Sequence, residues 1–428
     1  MEQEDGALRE SLLALQRDLS GQGEQLRPQS RCVSQAEAEG ELTEVLLKFL
    51  KNRITRLHIA AFLTQSVVHQ TLQGDLSSFA KTKETQESTE ENGGNEELLC
   101  SEALLHYCLQ CLQDVISKWL EQLPPFPPPP RDICVSVHAI RNTRRKMEDR
   151  HVILQDFNTL FGIKDSIPRS YFAVFDGHGG VDAANYASTY VHVNVARHEG
   201  LKQDPAQSLR ESFQKTDAMF LKKAKRERLR SGTTGVCTLL EGDHLHVAWL
   251  GDSQALLVRQ GSHVTLMDPH KPERKDERER IESLGGCVAF MGCWRVNGTL
   301  AVSRAIGDID QKPFVSGEGD VTSQILSGTE DFLVLACDGF YDTVSPPEVP
   351  GLVLDYLQES GGNWQHVAER LVTVAKEGGS SDNITVLVVF LQHPQKLLED
   401  IQAQGSVEEQ ALFDFGGEAV EVASDNAG

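Results

Sequence analysis

The sequence predicts an α+β protein with mainly antiparallel sheets, preceded by a helical region. Three observations predict it. Apolar, β-branched runs after residue 131 come in clusters joined by short loops, with helical patterns grouped between them, and not in strict strand–helix alternation. The first third of the chain shows helical spacing and no strand signal. A dense proline run, Pro124-Pro125-Phe126-Pro127-Pro128-Pro129-Pro130, separates the two textures. At 428 residues the chain is long enough for two or three domains.

The elements follow in order. Residues 1–34 are polar with scattered leucines (Leu8, Leu12, Leu13, Leu15) and read as a mobile arm. Ser34 with Glu37 three residues on forms a capping-box pattern, and Leu42, Val45, Leu46, Phe49 and Leu50 follow at helical spacing. A second helix is expected over Thr55–Leu72. Lys81–Glu97 is an acidic, aromatic-free linker expected to be disordered. A third helix, Leu98–Leu120, carries the stripe Leu104, Cys108, Cys111, Leu112, Val115 and Trp119, so its C-x-x-C reads as core and not as half of a zinc site. These helices, 35–123, are either a fold-supporting cap or a recognition module. The proline run, 124–130, is a stiff spacer or a ligand for a proline-recognising domain.

Past Arg131, strands are expected at Ile133–Val137, Tyr171–Asp176, Thr234–Leu240, Leu245–Leu250, Ala255–Val258, Phe332–Cys337 and Ile384–Leu391. The tight turn Gly251-Asp252-Ser253 predicts that the strands on either side of it pair. Helices are expected at Val181–Arg197, Pro205–Arg228, Glu273–Leu284, Pro347–Glu359 and Gln365–Lys376. This second unit spans 131–393. The remainder, 394–428, is an acidic tail in which Lys396–Ile401 extends a helix.

Composition narrows the function. A formal charge of −22 argues against broad nucleic-acid binding. The acidic N-terminus has no apolar segment behind it, and no run is long enough to span a membrane. Nine scattered cysteines suggest free thiols in a reducing compartment, so a cytoplasmic location is expected, with the nucleus open. One basic cluster stands out: Lys222, Lys223, Lys225, Arg226, Arg228 and Arg230. It reads as a solvated helix face, a nuclear signal, or a docking site for an acidic or phosphorylated partner.

The chemistry lies in carboxylates placed beside glycine or at strand ends. Asp176 ends the apolar run Tyr171–Phe175 and opens Asp176-Gly177-His178-Gly179-Gly180. Asp338 follows Phe332–Cys337, with Asp342 four residues on, and Asp382 precedes Ile384–Leu391. Asp252, Asp308, Glu148 and Asp149 occupy similar corners. Carboxylates at the ends of buried strands repel one another and are costly to desolvate, and shared divalent cations remove that conflict. All-oxygen ligation suits Mg²⁺ or Mn²⁺ and not Zn²⁺.

Met147-Glu148-Asp149, the Asp176–Gly180 corner, Ser231-Gly232-Thr233-Thr234, Gly251-Asp252-Ser253, Ser303–Asp308, Asp338–Asp342 and Asp382-Asn383-Ile384-Thr385 occur in this order. The series resembles the metal-dependent serine/threonine protein phosphatases of type 2C, over about Val135–Leu391. The context Ser136–His151, with Ala224–Arg228, is similar to the branch of that family directed at calcium/calmodulin-dependent protein kinases. The resemblance implies a β-sandwich of two antiparallel sheets with helices on both outer faces. It implies two metal ions bridged by Asp176, the Gly177 carbonyl on one, Asp338 and Asp382 completing the other, and Glu148 holding a metal-bound water. Asp252, with Asp338 or Asp342, would hold a weaker third ion. Arg144 would bind phosphate and His178 would act as general acid. Phosphorylated protein kinases are the implied substrates, and the guanine-nucleotide-exchange factor PIX an implied partner. Two departures fall near the site: Thr143, where many relatives carry an aromatic, and Gln254, where arginine is frequent. The rival readings are a catalytically silent scaffold and a hydrolase of nucleic acid or small phosphate esters.

Overall fold

The computed structural model describes residues 2–20, 26–81, 97–400 and 402–403. Residues 82–96 of the acidic linker, where disorder is expected, and the tail beyond 403 lie outside the described residues. The chain opens with helix α1 (Glu2–Ser20), strand β1 (Cys32–Ser34), α2 (Gln35–Lys51) and α3 (Leu57–Leu72), then β2 (Leu98–Cys100) and α4 (Ser101–Glu121). The expected capping box forms: Ser34 N–H donates to Glu37 Oε2 at 2.7 Å.

Two expectations are corrected here. Residues 2–20 are not a mobile arm. Leu8, Leu12 and Leu15 recur every three or four residues and are buried, and Arg9 Nη1 donates to the Leu120 carbonyl at 2.5 Å, tying α1 to the end of α4. The region is also not free of strands. Cys32–Ser34 pairs antiparallel with Leu98–Cys100, three residues on each side, too short to leave a periodic signal. The stripe on α4 is core as expected: Leu104, Cys108, Cys111, Leu112 and Val115 are buried among Leu42, Leu46, Ile59 and Leu63. Phe126 of the proline run packs edge-on against Phe62 and Trp119, so the spacer's start is anchored to the helices.

The second unit runs β3 (Val135–Ile140), β4 (Arg150–Leu154), α5 (Phe157–Phe161), β5 (Arg169–Phe175), β6 (Gly177–His178), α6 (Asp182–Ala196), α7 (Pro205–Glu227), β7 (Gly232–Thr233), β8 (Gly235–Glu241), β9 (His244–Leu250), β10 (Gln254–Arg259) and β11 (Ser262–Thr265). It continues with α8 (Lys275–Ser283), β12 (Val288–Phe290), β13 (Trp294–Val296), β14 (Ile306–Gly307), β15 (Asp320–Ile325), β16 (Glu330–Ala336), α9 (Asp338–Tyr341), α10 (Val349–Glu359), α11 (Val367–Glu377) and β17 (Ile384–Phe390).

Two five-stranded antiparallel sheets form a sandwich, β15-β9-β8-β5-β4 against β11-β10-β16-β17-β3. Phe172, Val174, Val236 and Val247 of the first sheet meet Leu257, Leu333, Leu335 and Leu387 of the second in the layer between them. On the outer face of the first sheet, Tyr171, Ala173 and Phe175 pack under α6 and α7. On the outer face of the second, Phe332, Val334 and Val388 pack under α10 and α11. Strands buried on both faces need both alternating sets apolar, which is why these runs read as continuous in sequence.

The strands flanking Gly251-Asp252-Ser253 do not pair. β9 lies between β8 and β15, whereas β10 lies between β11 and β16 in the opposite sheet. Gly251, at φ +99°, carries the chain across from one sheet to the other, a turn a hairpin reading cannot distinguish by length. The crossing puts Asp252 where the two sheets part.

Candidate metal centre

β5 is paired on both sides and wholly buried, so its end is a rigid place from which to project a carboxylate. The corner after it is pinned by its own backbone. The Asp176 carbonyl accepts from Thr234 N at 2.9 Å and from Thr233 Oγ1 at 2.8 Å. Gly177 lies so close to the Glu148 carbonyl that a Cβ would overlap it, and that Cβ would also lie 3.0 Å from the methyl of Ala184. The first sheet thereby brings Glu148 and Asp149, just before β4, against Asp176.

The second sheet delivers the rest. Asp338 opens α9 directly after β16, and Asp342 closes it, its N–H donating to the Asp338 carbonyl at 2.8 Å. Asp382 precedes the neighbouring strand β17. The Asp338-Gly339 turn abuts Asp382-Asn383 closely enough that a Cβ at Gly339 would overlap the Asn383 carbonyl.

The charges of these groups oppose one another. Burial pushes the Asp176 carboxyl far above the usual range, and Asp338, Asp149 and Asp252 push it further. Burial and Asp338 raise Asp252 to about 7, against a smaller opposing pull from Lys271. Burial raises Asp149 to about 6, with Asp338 and Asp382 adding to it. Asp338 is also raised, first by burial and then by Asp342 and Asp382. Protein groups alone leave this set unable to carry full negative charge at neutral pH.

The donor set fits hard divalent cations. It consists of carboxylate oxygens with the Gly177 carbonyl adjoining. Oxygens of Asp149 and Asp176 and the Cys337 sulfur lie within 4.8 Å of one another. Asp149 Oδ2 accepts from Thr385 Oγ1 at 2.7 Å, while its buried Oδ1 has no hydrogen-bond partner. Cys337 does not compete as a ligand. Its Sγ accepts from Thr385 N at 3.2 Å and approaches the Asn383 carbonyl at 3.5 Å, and burial pushes its thiol well up, so it stays protonated.

His178 stands to one side of the carboxylates. The β6–β7 ladder pairs it with Gly232, and its Nε2 lies 2.7 Å from Asp308 Oδ2. Burial opposes the imidazolium, but the hydrogen bond and charge of Asp308, helped by Asp252 and Glu148, outweigh it and raise the histidine. Asp308 is buried and adopts φ +49°, a left-handed conformation uncommon outside glycine.

Arg144 is 58% exposed and ion-pairs with Asp382. Its loop is held to the segment before β17 at both ends. Asn142 Nδ2 donates to the Ser380 carbonyl at 2.6 Å, and Thr143 Oγ1 to the Ser381 carbonyl at 2.6 Å. Thr143, an apparent departure, therefore has a local role. Asn383 is the clamp: its Oδ1 accepts from Glu148 N at 2.8 Å, and its Nδ2 donates to the carbonyls of Arg141 (2.9 Å) and Lys146 (3.0 Å). Gln254 begins β10 opposite Ala336, away from these contacts.

Every site residue expected from sequence is thus drawn to one edge of the sandwich: Glu148, Asp176, Gly177, Asp252, Asp338, Asp342, Asp382, Arg144 and His178. Sequence reasoning noticed Asp149 and Asp308 as carboxylates and gave them no role. It gave none to Asn383, whose partners lie about 240 residues away in sequence and leave no local pattern.

A sandwich whose sheets converge on mutually repelling carboxylates suits divalent metal ions held on oxygen ligands. The chain belongs to the protein phosphatase 2C family, whose model matches residues 133–384. Rat protein phosphatase 1F is 57% identical over 370 residues, covering 86% of this chain and 82% of its own length. Human protein phosphatase 1F is 56% identical over 386 residues, covering 87% and 85%. Mouse protein phosphatase 1E is 49% identical over 370 residues, covering 86% of this chain and 49% of itself. A solved C. elegans sex-determining protein superposes with a TM-score of 0.70 at 22% identity, covering 92% of this chain and 96% of that one. A serine-threonine phosphatase 2C of Toxoplasma gondii gives a TM-score of 0.54 at 21% identity, covering 62% and 96%. At these identities the two structures show the fold, and the first extends the likeness into the N-terminal helices. The chain is a protein serine/threonine phosphatase of a metal-dependent family.

Proposed function

We propose that this chain hydrolyses phosphoserine and phosphothreonine in proteins using two bound Mg²⁺ or Mn²⁺ ions, and that calcium/calmodulin-dependent and related protein kinases are among its substrates. The observation that carries the first part is the burial of Asp176 against Asp338, Asp149 and Asp252, all raised, with Lys271 giving Asp252 a pull too small to offset it. Asp176 would bridge the pair. The Gly177 carbonyl and, through water, Glu148 would complete one site. Asp338 and Asp382 would complete the other. Asp252 and Asp342 would hold a weaker third ion. Such a pair, when bound, lowers the pKa of a shared water so that hydroxide is available at neutral pH.

The chain's own residues do the remaining work. Arg144 offers a guanidinium fork for two phosphoryl oxygens, and its pairing with Asp382 aims it toward the centre. His178, with Nε2 engaged by Asp308, has Nδ1 left to give a proton to the departing seryl or threonyl oxygen. Asn383 holds both ends of the Arg144 loop in register with Asp382. The kinase assignment rests on the resemblance over Ser136–His151. The same resemblance supports PIX, or a similar exchange factor, as a partner of the N-terminal helices, which have a hydrophobic core of their own.

The test is turnover of a phosphothreonine peptide with Mn²⁺ or Mg²⁺, then with chelator, for wild type and Asp176→Ala. Activity should require metal and vanish in the variant. Metal-independent turnover, or an active variant, would overturn the two-metal reading, and a folded wild type with no turnover would favour the scaffold. If the enzyme is active, a phosphorylated calmodulin-dependent kinase is the next substrate, and failure to dephosphorylate it would remove that part of the proposal.

A further inference from the structure

The basic cluster at the end of α7 is not used by the metal centre, and its members differ in what they do. Lys223 is structural: its Nζ donates to Ser30 Oγ at 3.2 Å and to Glu227 at 2.9 Å, tying α7 to the N-terminal region. Arg226 shares Glu227 at 3.2 Å. Arg228 and Arg230 are different. Arg228 ends α7 in a left-handed cap at φ +58° and is exposed. Arg230 has an 80% exposed side chain, and its one described ion pair, to the also exposed Asp310, is long at 3.4 Å. An ion pair in that setting is weak and readily exchanged for another.

Their position matters more than their charge. The β6–β7 ladder pairs His178 with Gly232, and just past it Ser231 adjoins both Gly179 and Gly180. A Cβ on Gly179 would lie 3.7 Å from the Ser231 Cα and 3.9 Å from the Arg230 carbonyl. Arg230 therefore borders the turn that carries His178. Gly179 and Gly180 have no side chains to wall off that rim. The chain as a whole is strongly acidic, with a formal charge of −22. An acidic segment is repelled by such a molecule at long range, and a local reversal of sign beside the centre reverses that repulsion at one place.

We propose that Arg228 and Arg230 form a docking strip for acidic residues flanking the phosphorylated residue of a protein substrate. The inference rests on the phosphatase reading with His178 at the leaving group, and it names the substrate class: phosphoproteins whose phosphothreonine sits in an acidic stretch. Charges at the rim of a site act on capture of the partner, not on the bond-breaking step. The strip should therefore appear in KM and leave kcat alone.

The experiment compares three substrates with metal present: a phosphothreonine peptide with Asp and Glu flanks, the same peptide with Asn and Gln flanks, and p-nitrophenyl phosphate. The proteins are the full-length wild type, Arg228→Asn/Arg230→Ser and Arg228→Asn/Arg230→Lys; asparagine tolerates the left-handed cap. At low salt the Asn/Ser variant should raise KM for the acidic peptide about tenfold with kcat held. The neutral peptide and p-nitrophenyl phosphate should change less than about twofold, which also reports that the protein is folded. The Lys variant should recover part of the loss, and added salt should erase the wild-type preference. Equal KM for the two peptides in the wild type, or a rise shared by all three substrates, would overturn the strip and leave the phosphatase standing. A wild type that turns over none of the three fails the phosphatase reading and this one with it.

Discussion

Single residues decide whether the centre can be charged. Asp176 is held at a neutral-pH disadvantage by burial and by Asp338, Asp149 and Asp252. Asp176→Asn removes, at nearly constant shape, a buried carboxyl that must either carry charge against its neighbours or take up a proton to fold. The metal-free protein should therefore melt about 2–4 °C higher for each kcal/mol of repulsion relieved, while the metal-induced rise in Tm and the turnover are both lost. Thermal melts of both proteins, with chelator and with Mn²⁺, read this directly; a variant less stable than wild type in chelator would mean that the carboxylates do not strain the metal-free fold. Gly232 makes the complementary case for His178. A Cβ there would overlap both Asp308 Oδ2 and His178 Nε2. Gly232→Ala should break that pair, lowering kcat by about 10²–10⁴ on substrates with poor leaving groups while metal still raises Tm. p-Nitrophenyl phosphate, whose leaving group needs little protonation, should lose much less; equal losses on both substrates would argue that His178 is not the acid.

Secondary elements show what was legible in the sequence. β5, β8, β16 and β17 could be read because both faces are buried and both alternating sets are apolar. Asp176, Asp338 and Asp382 could be read because they end or begin such strands. β4 and β15 were not recognised, since β15 at the sheet edge has half-buried and exposed, mostly polar positions and β4 is short and mixed. The Gly251 turn was misassigned because a crossing between sheets and a hairpin use the same residues. The tie between α8 and the loop before β14 was also invisible, being built of charges far apart in sequence. Glu277 is 1% exposed and accepts from Arg304 Nη2 at 2.7 Å and Arg280 Nη2 at 2.9 Å. Burial works against this carboxylate, but the two guanidiniums outweigh burial and hold it at about 2, from an ordinary 4.5. A depressed carboxyl contributes stability that is complete above the unfolded value and lost as pH falls toward the folded one. That difference corresponds to about 3 kcal/mol. Glu277→Gln should thus lower Tm clearly at pH 7, and the gap should narrow from pH 4.5 downward. A gap of constant size at pH 7 and pH 3.5 would show that the ion pairs do not carry the effect.

The N-terminal helices join the second unit along a seam in which α2 packs on α6 and α3 on α5. The N-terminal helices have their own core, and Leu47 and Ala61 reach into the core shared with α6 and α7. α2 meets α6 closely because Gly40 has no side chain; a Cβ there would stand 2.6 Å from the Tyr190 ring. A glycine inside a helix weakens it by about 1 kcal/mol relative to alanine, so its presence mid-helix fits a need for close approach. Polar contacts complete the seam: Tyr186 Oη donates to Glu37 Oε1 at 2.7 Å, and Arg197 Nε lies 3.0 Å from both carboxylate oxygens of Glu39. α6 begins just past Gly180, so the helix that receives the N-terminal region also follows the His178 turn. Gly40→Leu should push α2 off Tyr190, at a cost of about 1–3 kcal/mol from overpacking. The two regions should then separate in their response. Limited proteolysis should release the N-terminal helices sooner, while the sandwich, whose inner layer does not involve α2, should keep its metal-dependent rise in Tm. Unchanged proteolysis would mean that the seam repacks around the leucine. Loss of the metal response as well would mean that the helical region supports the centre directly and does not merely rest on it.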